Sequence, residues 1–117
     1  MLNLSIIIET KGIRTMDRKP IFTVPHPGDI LRETLEELGV SQRRFARISG
    51  IDPAVVCGIC ARRRGVTAES AIRIARALGT DAQSWLNLQN RFDLDKAEHA
   101  HGAEFEKISA LPEIAAA

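Results

Sequence analysis

A three-residue unit that begins with glycine and ends with Ser, Thr or Asp punctuates the middle of this sequence. Its four copies are Gly39-Val40-Ser41, Gly50-Ile51-Asp52, Gly65-Val66-Thr67 and Gly79-Thr80-Asp81. Glycine can end a helix in the left-handed conformation because it has no Cβ atom to clash. Ser, Thr and Asp begin helices well, because their side-chain oxygens accept hydrogen bonds from unpaired amides of the first turn. Each unit therefore predicts the end of one helix and the start of the next.

The residues around each unit support this prediction. In a hydrophobic staple, the residue before the cap packs against the fourth residue of the helix. Three units pair apolar residues in this way, namely Val40–Phe45, Ile51–Val56 and Val66–Ala71. The fourth pairs Thr80 with Trp85, of which only the second is fully apolar. The spacing of the four units is thus consistent with helix starts at all of them.

The units divide the chain into five predicted helices. Their approximate bounds are Pro27–Leu38, Gln42–Ser49, Pro53–Arg62, Ala68–Leu78 and Ala82–His99. Apolar residues recur at helical spacing in the first of them, at Ile30, Leu31, Leu35 and Leu38. We therefore expect an all-α, five-helix domain over residues 26–100, preceded by a short amino-terminal arm over 1–25 and followed by an acidic tail over 101–117.

Charge is unevenly distributed, although the whole chain has a formal net charge of only +1. Between Ser41 and Val66, six arginines are opposed by a single acid, Asp52. From Asp81 to the end, seven acids are opposed by three basic residues. The basic middle is a candidate surface for the phosphates of nucleic acid. The acidic end is either a surface for a basic partner or an ordinary solvated face.

Two short helices joined by a glycine-containing turn are the signature of a helix-turn-helix. The predicted second helix, the turn at Gly50-Ile51-Asp52 and the predicted third helix supply its three parts. In such units the second helix of the pair enters the major groove, whereas the first crosses the DNA backbone. We therefore expect Gln42, Arg43 and Arg44, in the first turn of the crossing helix, to bind phosphate together with the free amides there.

A run of three arginines, Arg62, Arg63 and Arg64, closes the predicted third helix. A basic residue near a helix carboxyl end is favourable to the helix dipole, which is a sufficient explanation for one of them. Three adjacent arginines exceed that requirement. We therefore expect at least one of them to contact a backbone phosphate.

Four segments together resemble a known family. They are His26-Pro27-Gly28-Asp29-Ile30-Leu31, Gly39-Val40-Ser41-Gln42, Arg64-Gly65-Val66-Thr67-Ala68-Glu69-Ser70-Ala71 and Trp85-Leu86-Asn87-Leu88-Gln89. In register over about residues 18–98, they resemble the HigA or VapI-type plasmid-maintenance antitoxins of the Xre/Cro-like helix-turn-helix superfamily. The resemblance implies a Cro/lambda-repressor-like fold and a dimer that binds its own operator. It also implies neutralisation of a small RelE-like (HigB-like) toxin that cuts mRNA.

The third helix departs from the family pattern, in which polar residues line the exposed face. Its sequence here is Pro53-Ala54-Val55-Val56-Cys57-Gly58, and we assign Val56 and Ile59 to the core. The residues left to contact bases are Asp52, Ala54, Val55, Cys57 and Gly58. Ala54, Val55 and Cys57 would touch thymine methyl groups, and Gly58 would allow close approach of the duplex. The alternative is that this chain has lost strong sequence readout and binds DNA weakly.

The two cysteines, Cys57 and Cys60, lie one predicted helical turn apart. A tetrahedral zinc site needs about four ligands, and no nearby Cys or His pair completes one, so we expect neither a metal nor a cofactor. We expect one cysteine to be buried and the other to be partly exposed. No arrangement of catalytic side chains is recognisable, so an enzyme is not expected. Free cysteines, with neither a membrane-length apolar segment nor a secretory signal, favour the cytoplasm.

These observations favour a cytoplasmic, dimeric repressor that is also an antitoxin, with operator double-stranded DNA and a small toxin as partners. We expect the fifth helix to form the dimer surface, and the amino-terminal arm or the acidic end to hold the toxin. Two alternatives remain open. One is a free-standing repressor without a toxin, and the other is a protein-interaction module that has kept the fold but lost DNA binding.

Overall fold

The computed structural model describes residues 24–115, and within that range the chain is entirely helical. Its helices are α1 (Pro27–Leu38), α2 (Gln42–Ser49), α3 (Pro53–Cys60), α4 (Ala68–Leu78), α5 (Ala82–Phe105) and α6 (Pro112–Ala115). The five predicted helices are confirmed, although α3 ends two residues early and α5 continues beyond His99. The short α6 was not predicted. The predicted arm over 1–25 lies almost wholly outside the described residues.

All four predicted caps hold the first turn of a helix. The side chains of Ser41, Asp52, Thr67 and Asp81 accept hydrogen bonds from the backbone amides of Arg44, Ala54, Ser70 and Ser84. The glycines that precede three of these caps, Gly39, Gly50 and Gly79, have φ of 71°, 75° and 71°. These three therefore end helices in the left-handed conformation, as predicted.

The end of α3 is different, and the prediction that Gly65 ends it is wrong. Arg62 takes the left-handed position instead, with φ of 65°, and is the one non-glycine residue among those described with positive φ. The Arg62 amide donates to the Ile59 carbonyl at 3.0 Å, and the Arg63 amide donates to the Gly58 carbonyl at 2.8 Å. These two bonds form a Schellman motif with an arginine at its left-handed residue.

The core is built from buried side chains of α1 to α5, including Phe45 and Ala46 of α2. Trp85 is its largest side chain and is only 1% exposed, while its indole N–H donates to Thr80 Oγ1 at 2.9 Å. The predicted pairing of these two residues is therefore a hydrogen bond. Val56 and Ile59 are fully buried, as predicted, whereas Leu38 at the end of α1 is 61% exposed and does not join the core.

Helix α5 extends past this core. Its backbone leaves helical geometry at His101, with φ of −133° and ψ of 20°, so the regular helix ends close to the predicted bound. Beyond Gln89 the helix carries exposed apolar side chains, including Leu94 and Phe105. No helix within residues 24–115 combines the length and apolar character that crossing a membrane requires.

Candidate nucleic-acid interface

The start of α2 has the features of an anion-binding helix end. Ser41 Oγ accepts from the Arg44 amide at 3.0 Å, which leaves the amides of Gln42 and Arg43 to other partners. The first turn contains no acidic residue, and the side chains of Arg43 and Arg44 are exposed. Two cations beside the positive end of a helix dipole are unfavourable unless an anion joins them. This turn is therefore suited to a phosphate.

The exposed face of α3 is narrow and apolar. Ala54 and Cys57 are exposed on it, one helical turn apart. Val55 is partly buried and packs against the core, so less of its side chain is available to a partner than predicted. Asp52 is the one polar candidate on this face. Its Oδ1 accepts a hydrogen bond from the Ala54 amide at 2.8 Å, so one of its two carboxylate oxygens is already occupied. On this face, the charged side chain that can bond to bases is thus that of Asp52, the N-cap of α3.

Two arginines of the following turn fold back over α3. Arg63 Nη2 lies 3.7 Å from Cys57 Sγ, across the exposed face. The side chain of Arg64 crosses Gly58, where an added Cβ atom would lie 2.9 Å from Arg64 Cδ. Gly58 is buried, so the prediction that it faces the duplex is wrong: the space left by its missing side chain is filled by Arg64. The guanidinium groups of Arg63 and Arg64 therefore belong to the same surface as α3.

Arg62 points elsewhere and binds a carboxylate of its own chain. Its Nε and Nη2 atoms donate to the two oxygens of Asp29 at 3.0 Å and 2.6 Å. Burial of Asp29 opposes its charge, but the hydrogen bonds and charge of Arg62 prevail and hold the pKa of that carboxyl below its usual range. The same bonds raise the pKa of Arg62. The contacts of Arg62 therefore do not support the prediction that it binds a phosphate.

Asp29 belongs to a buried polar cluster at the start of α1. His26 is the N-cap of α1 and its Nδ1 accepts from the Gly28 amide at 2.8 Å, while the His26 amide donates to Asp29. The His26 ring also packs edge-on against Phe92 of α5, with ring centroids 4.8 Å apart. Burial lowers the pKa of His26, and the opposing effect of Asp29 is smaller. Asp29 was not identified as a site residue, although its segment carried the family resemblance.

Gln89 is a second residue that was missed. It is buried on α5, and its Oε1 accepts from the Val66 amide at 2.7 Å. A Cβ atom on Gly65 would come within 3.0 Å of this same side chain, which explains the glycine there. The sequence signal that could have identified Gln89 is its position as a polar residue one turn after Trp85, on the buried face of the helix. The α3–α4 turn is thus held by Asp29 at one end and by Gln89 at the other.

The two cysteines of α3 differ in exposure. Cys57 is exposed and Cys60 is buried, as predicted. Burial raises the pKa of the Cys60 thiol to about 11. Among residues 24–115 no group of three His, Cys, Asp or Glu side chains is placed to hold a metal ion.

Two helices joined at a tight turn, with arginines around the exposed face of the second, define a helix-turn-helix protein. In agreement, a helix-turn-helix family model matches residues 31–85. The chain is 45% identical over 74 residues to virulence-associated protein I of Dichelobacter nodosus, covering 62% of this chain and 68% of that protein. It is 30% identical over 101 residues to antitoxin HigA-1 of Vibrio cholerae, covering 85% and 90%. The chain therefore belongs to the helix-turn-helix family of the HigA antitoxins and virulence-associated protein I.

A solved structure extends the comparison to three dimensions. The structure of the Pseudomonas aeruginosa antitoxin HigA with the higBA promoter is 38% identical in sequence to this chain, with a TM-score of 0.70. The match covers 75% of this chain and 96% of that one. The similarity thus includes nearly the whole of that antitoxin, and it extends beyond the helix-turn-helix unit alone.

Proposed function

We propose that this chain is the antitoxin of a type II toxin–antitoxin module, which represses its own operon by binding operator DNA as a homodimer. In this proposal it also neutralises a small RelE-like toxin that cleaves mRNA. The observation that carries the proposal is the placement of Arg63 and Arg64 over the exposed face of α3, within a fold shared with a promoter-bound HigA. Among residues 24–115, no carboxylate forms an ion pair with Arg63 or Arg64.

Affinity for DNA resides mainly in the arginines around α3. Arg43 and Arg44 at the start of α2, with the amides there, take backbone phosphates, and Arg63 and Arg64 take others. Ala54 and Cys57 contribute apolar contacts to thymine methyl groups, and Asp52 is available to a base amino group. This division predicts strong dependence on salt and modest discrimination between base sequences.

The dimer surface is assigned to α5. This helix continues well past the core, and Leu94 on that part of it is 68% exposed. Farther along, Ile108, Leu111 and Ile114 are more than half exposed as well. Exposed apolar side chains that form one patch commonly mark a protein interface, and these four are the candidates for it. A two-fold dimer would present two copies of α3 to half-sites about 34 Å apart along the duplex.

Two regions are candidates for the toxin. One is the amino-terminal arm before Pro27, and the other is the acidic end from Asp81, where seven acids are opposed by three basic residues. The acidic end complements the positive charge expected of a small nuclease that binds RNA.

Titration of labelled DNA from upstream of the gene tests the repressor half of the proposal. Operator DNA should bind about tenfold more tightly than a scrambled duplex at equal salt, a smaller ratio than the ~10³ or more of strongly specific proteins, because α3 offers few hydrogen bonds to bases. Co-expression with the product of the adjacent reading frame tests the antitoxin half. Growth arrest by that product alone, relieved by this chain, is the expected result; a harmless neighbour supports a free-standing repressor.

One observation favours a second candidate, a toxin-binding module without sequence-specific DNA binding. On the exposed face of α3, Asp52 is the residue that can form strong hydrogen bonds to bases. Ala54 and Cys57 cannot form hydrogen bonds strong enough to discriminate one base from another. Equal affinity for operator and scrambled DNA, together with rescue from the toxin, would support this second function.

A further inference from the structure

The amino-terminal end of α1 packs on the carboxyl end of α3 through three neighbouring residues. A Cβ atom on Gly28 would overlap the carbonyl oxygen of Ile59, so the two backbones are in direct contact. Asp29 binds Arg62 through both carboxylate oxygens. Arg32 Nη1 donates to the Cys60 carbonyl at 3.4 Å, which gives an otherwise unpaired group at the end of α3 a partner. These contacts fix where α3 ends relative to α1.

Within this contact, the backbone of Arg62 is in a conformation that favours glycine. A side chain at φ of 65° costs free energy that a glycine would avoid. The side chain of Arg62 offsets this cost. Its guanidinium donates two hydrogen bonds, at 3.0 Å and 2.6 Å, to the carboxylate of Asp29, which is only 5% exposed. A left-handed arginine is thus held in place by its side chain, and the turn is held with it.

The next two residues are those that lie over α3. The Arg63 and Arg64 amides both donate to the Gly58 carbonyl, at 2.8 Å and 3.1 Å. Their directions therefore depend on the conformation of the turn that Arg62 begins. Arg63 reaches Cys57 and Arg64 crosses Gly58 only because the chain reverses at Arg62.

We propose that Asp29 is a positioning residue for operator binding, which acts through Arg62 to hold Arg63 and Arg64 over α3 before DNA arrives. This inference rests on the proposed function and adds a residue of α1 that touches no DNA. Side chains that are already ordered in the free protein lose less conformational entropy when DNA binds, so the affinity is higher. Loss of the ion pair should therefore weaken binding without removing any phosphate contact.

The competing interpretation is that Arg62 itself binds phosphate and that Asp29 merely occupies it in the free protein. The two interpretations predict opposite effects for Asp29→Asn, which removes the charge but keeps an oxygen for the His26 amide. Under the competing interpretation this variant frees Arg62 and strengthens binding. If Asp29 positions the turn, the same variant weakens binding.

The test measures binding of the full chain to its upstream duplex by fluorescence anisotropy over a salt series. Arg62→Gly removes the ion pair that anchors the turn but tolerates the left-handed conformation, so the chain can still fold, and Asp29→Asn keeps the cap of α1. Both should lower operator affinity by ~5- to 20-fold, the range for lost preorganisation of a few side chains. The slope of log K against log salt should stay at the wild-type value, because the phosphate contacts still form. The double variant should be no weaker than either single one.

Two further variants separate positioning from general damage. Glu69→Gln breaks the exposed Arg73–Glu69 ion pair of 3.2 Å on α4 and removes the same charge, yet should change affinity less than ~2-fold. Asp29→Glu retains a carboxylate in the capping box and should restore affinity to within ~3-fold of wild type. All measurements are made where circular dichroism shows each variant fully folded.

The inference is overturned if Asp29→Asn binds as tightly as wild type or more tightly. It is also overturned if Arg62→Gly reduces the magnitude of the salt slope by ~1 or more per protomer, because Arg62 would then be a phosphate ligand. If the wild-type chain itself fails to bind its upstream DNA at low salt, the proposed function fails and this inference with it. If instead the wild-type chain binds normally and the variants bind equally well, the proposed function stands and only this inference fails.

Discussion

Arg64 packs its aliphatic stem across Gly58, so that a residue of the α3–α4 turn covers a buried position of the helix before it. An added Cβ atom at Gly58 would lie 2.9 Å from Arg64 Cδ and 3.0 Å from its Cγ. The glycine inside α3 is thereby explained by the arginine, because only glycine leaves room for this path. The aliphatic part of the Arg64 side chain therefore lies against α3.

Gly58→Ala should separate stability from DNA binding. Alanine gains up to ~1 kcal/mol of helix propensity over glycine, and the flexible Arg64 side chain can move away at low cost. We therefore expect unchanged or slightly higher stability to urea, with operator affinity reduced by ~3- to 10-fold because Arg64 is displaced. A variant with unchanged affinity would show that the path of Arg64 across Gly58 is unimportant for binding.

Gly28→Ala should be among the most damaging small changes to the fold. Its Cβ atom would overlap the Ile59 carbonyl oxygen, a backbone atom that cannot rotate away. We expect a loss of ~3 kcal/mol or more in the free energy of unfolding. Gly102→Ala is the matched control, since nothing lies within 4 Å of the added atom and the free energy should change by less than ~1 kcal/mol. Similar effects of the two changes in urea melts would contradict the α1–α3 contact.

Stability should fall as the pH is lowered below the ordinary histidine pKa of 6.5, because of His26. Burial lowers the pKa of His26 in the folded protein, and the neighbouring Asp29 and Asp93 only partly oppose it, while Arg62 and Lys96 add to it. The unfolded chain therefore takes up the proton first. Between the unfolded and folded pKa values, stability rises with pH and is lost as pH falls.

Thermal melts at a series of pH values check this expectation. His26→Asn keeps a capping side chain for α1 but cannot take up a proton, so its melting temperature should change less between pH 7 and pH 5. His99→Gln, an exposed change on α5, is the control and should keep the wild-type pH dependence. Parallel curves for wild type and His26→Asn would exclude His26 as the group responsible.

The two cysteines should differ in reactivity. Burial raises the pKa of Cys60 to about 11, whereas Cys57 is exposed on α3. A maleimide at neutral pH should therefore label one thiol per chain, and Cys57→Ser should abolish the labelling. A bulky label at Cys57 should also block DNA binding, because this residue lies on the face assigned to the major groove. Labelled protein that binds DNA normally would place the duplex elsewhere.

Much of the scaffold was predictable because its signals are local. A glycine followed by a capping side chain acts within one turn of the chain, so Ser41, Asp52, Thr67 and Asp81 could be identified without the fold. The burial of Val56 and Ile59 was likewise predicted from the sequence. The end of α3 was misassigned because Arg62 takes a conformation that favours glycine, and Gly65 stood nearby to suggest a different explanation.

The directions of the three arginines could not be predicted, because they depend on residues distant in sequence. Asp29 lies 33 residues from Arg62, and Gln89 lies 23 residues from Val66. Only packing of α1 and α5 against the turn reveals that Arg62 binds Asp29 and that Arg63 and Arg64 lie over α3. The role of Gly58 was reversed for the same reason, since Arg64 reaches it only after the chain turns back.

The dependence of operator affinity on salt tests the central claim that arginines around α3 supply the binding energy. Arg43, Arg44, Arg63 and Arg64 of two protomers can neutralise up to eight phosphates, so the slope of log K against log salt should lie between about −4 and −7. Replacing both Arg63 and Arg64 by Gln should reduce its magnitude by about half, or about 2 to 4, whereas Arg76→Gln on α4 should leave it unchanged. A wild-type slope near zero, or a slope that survives loss of Arg63 and Arg64, would contradict the claim.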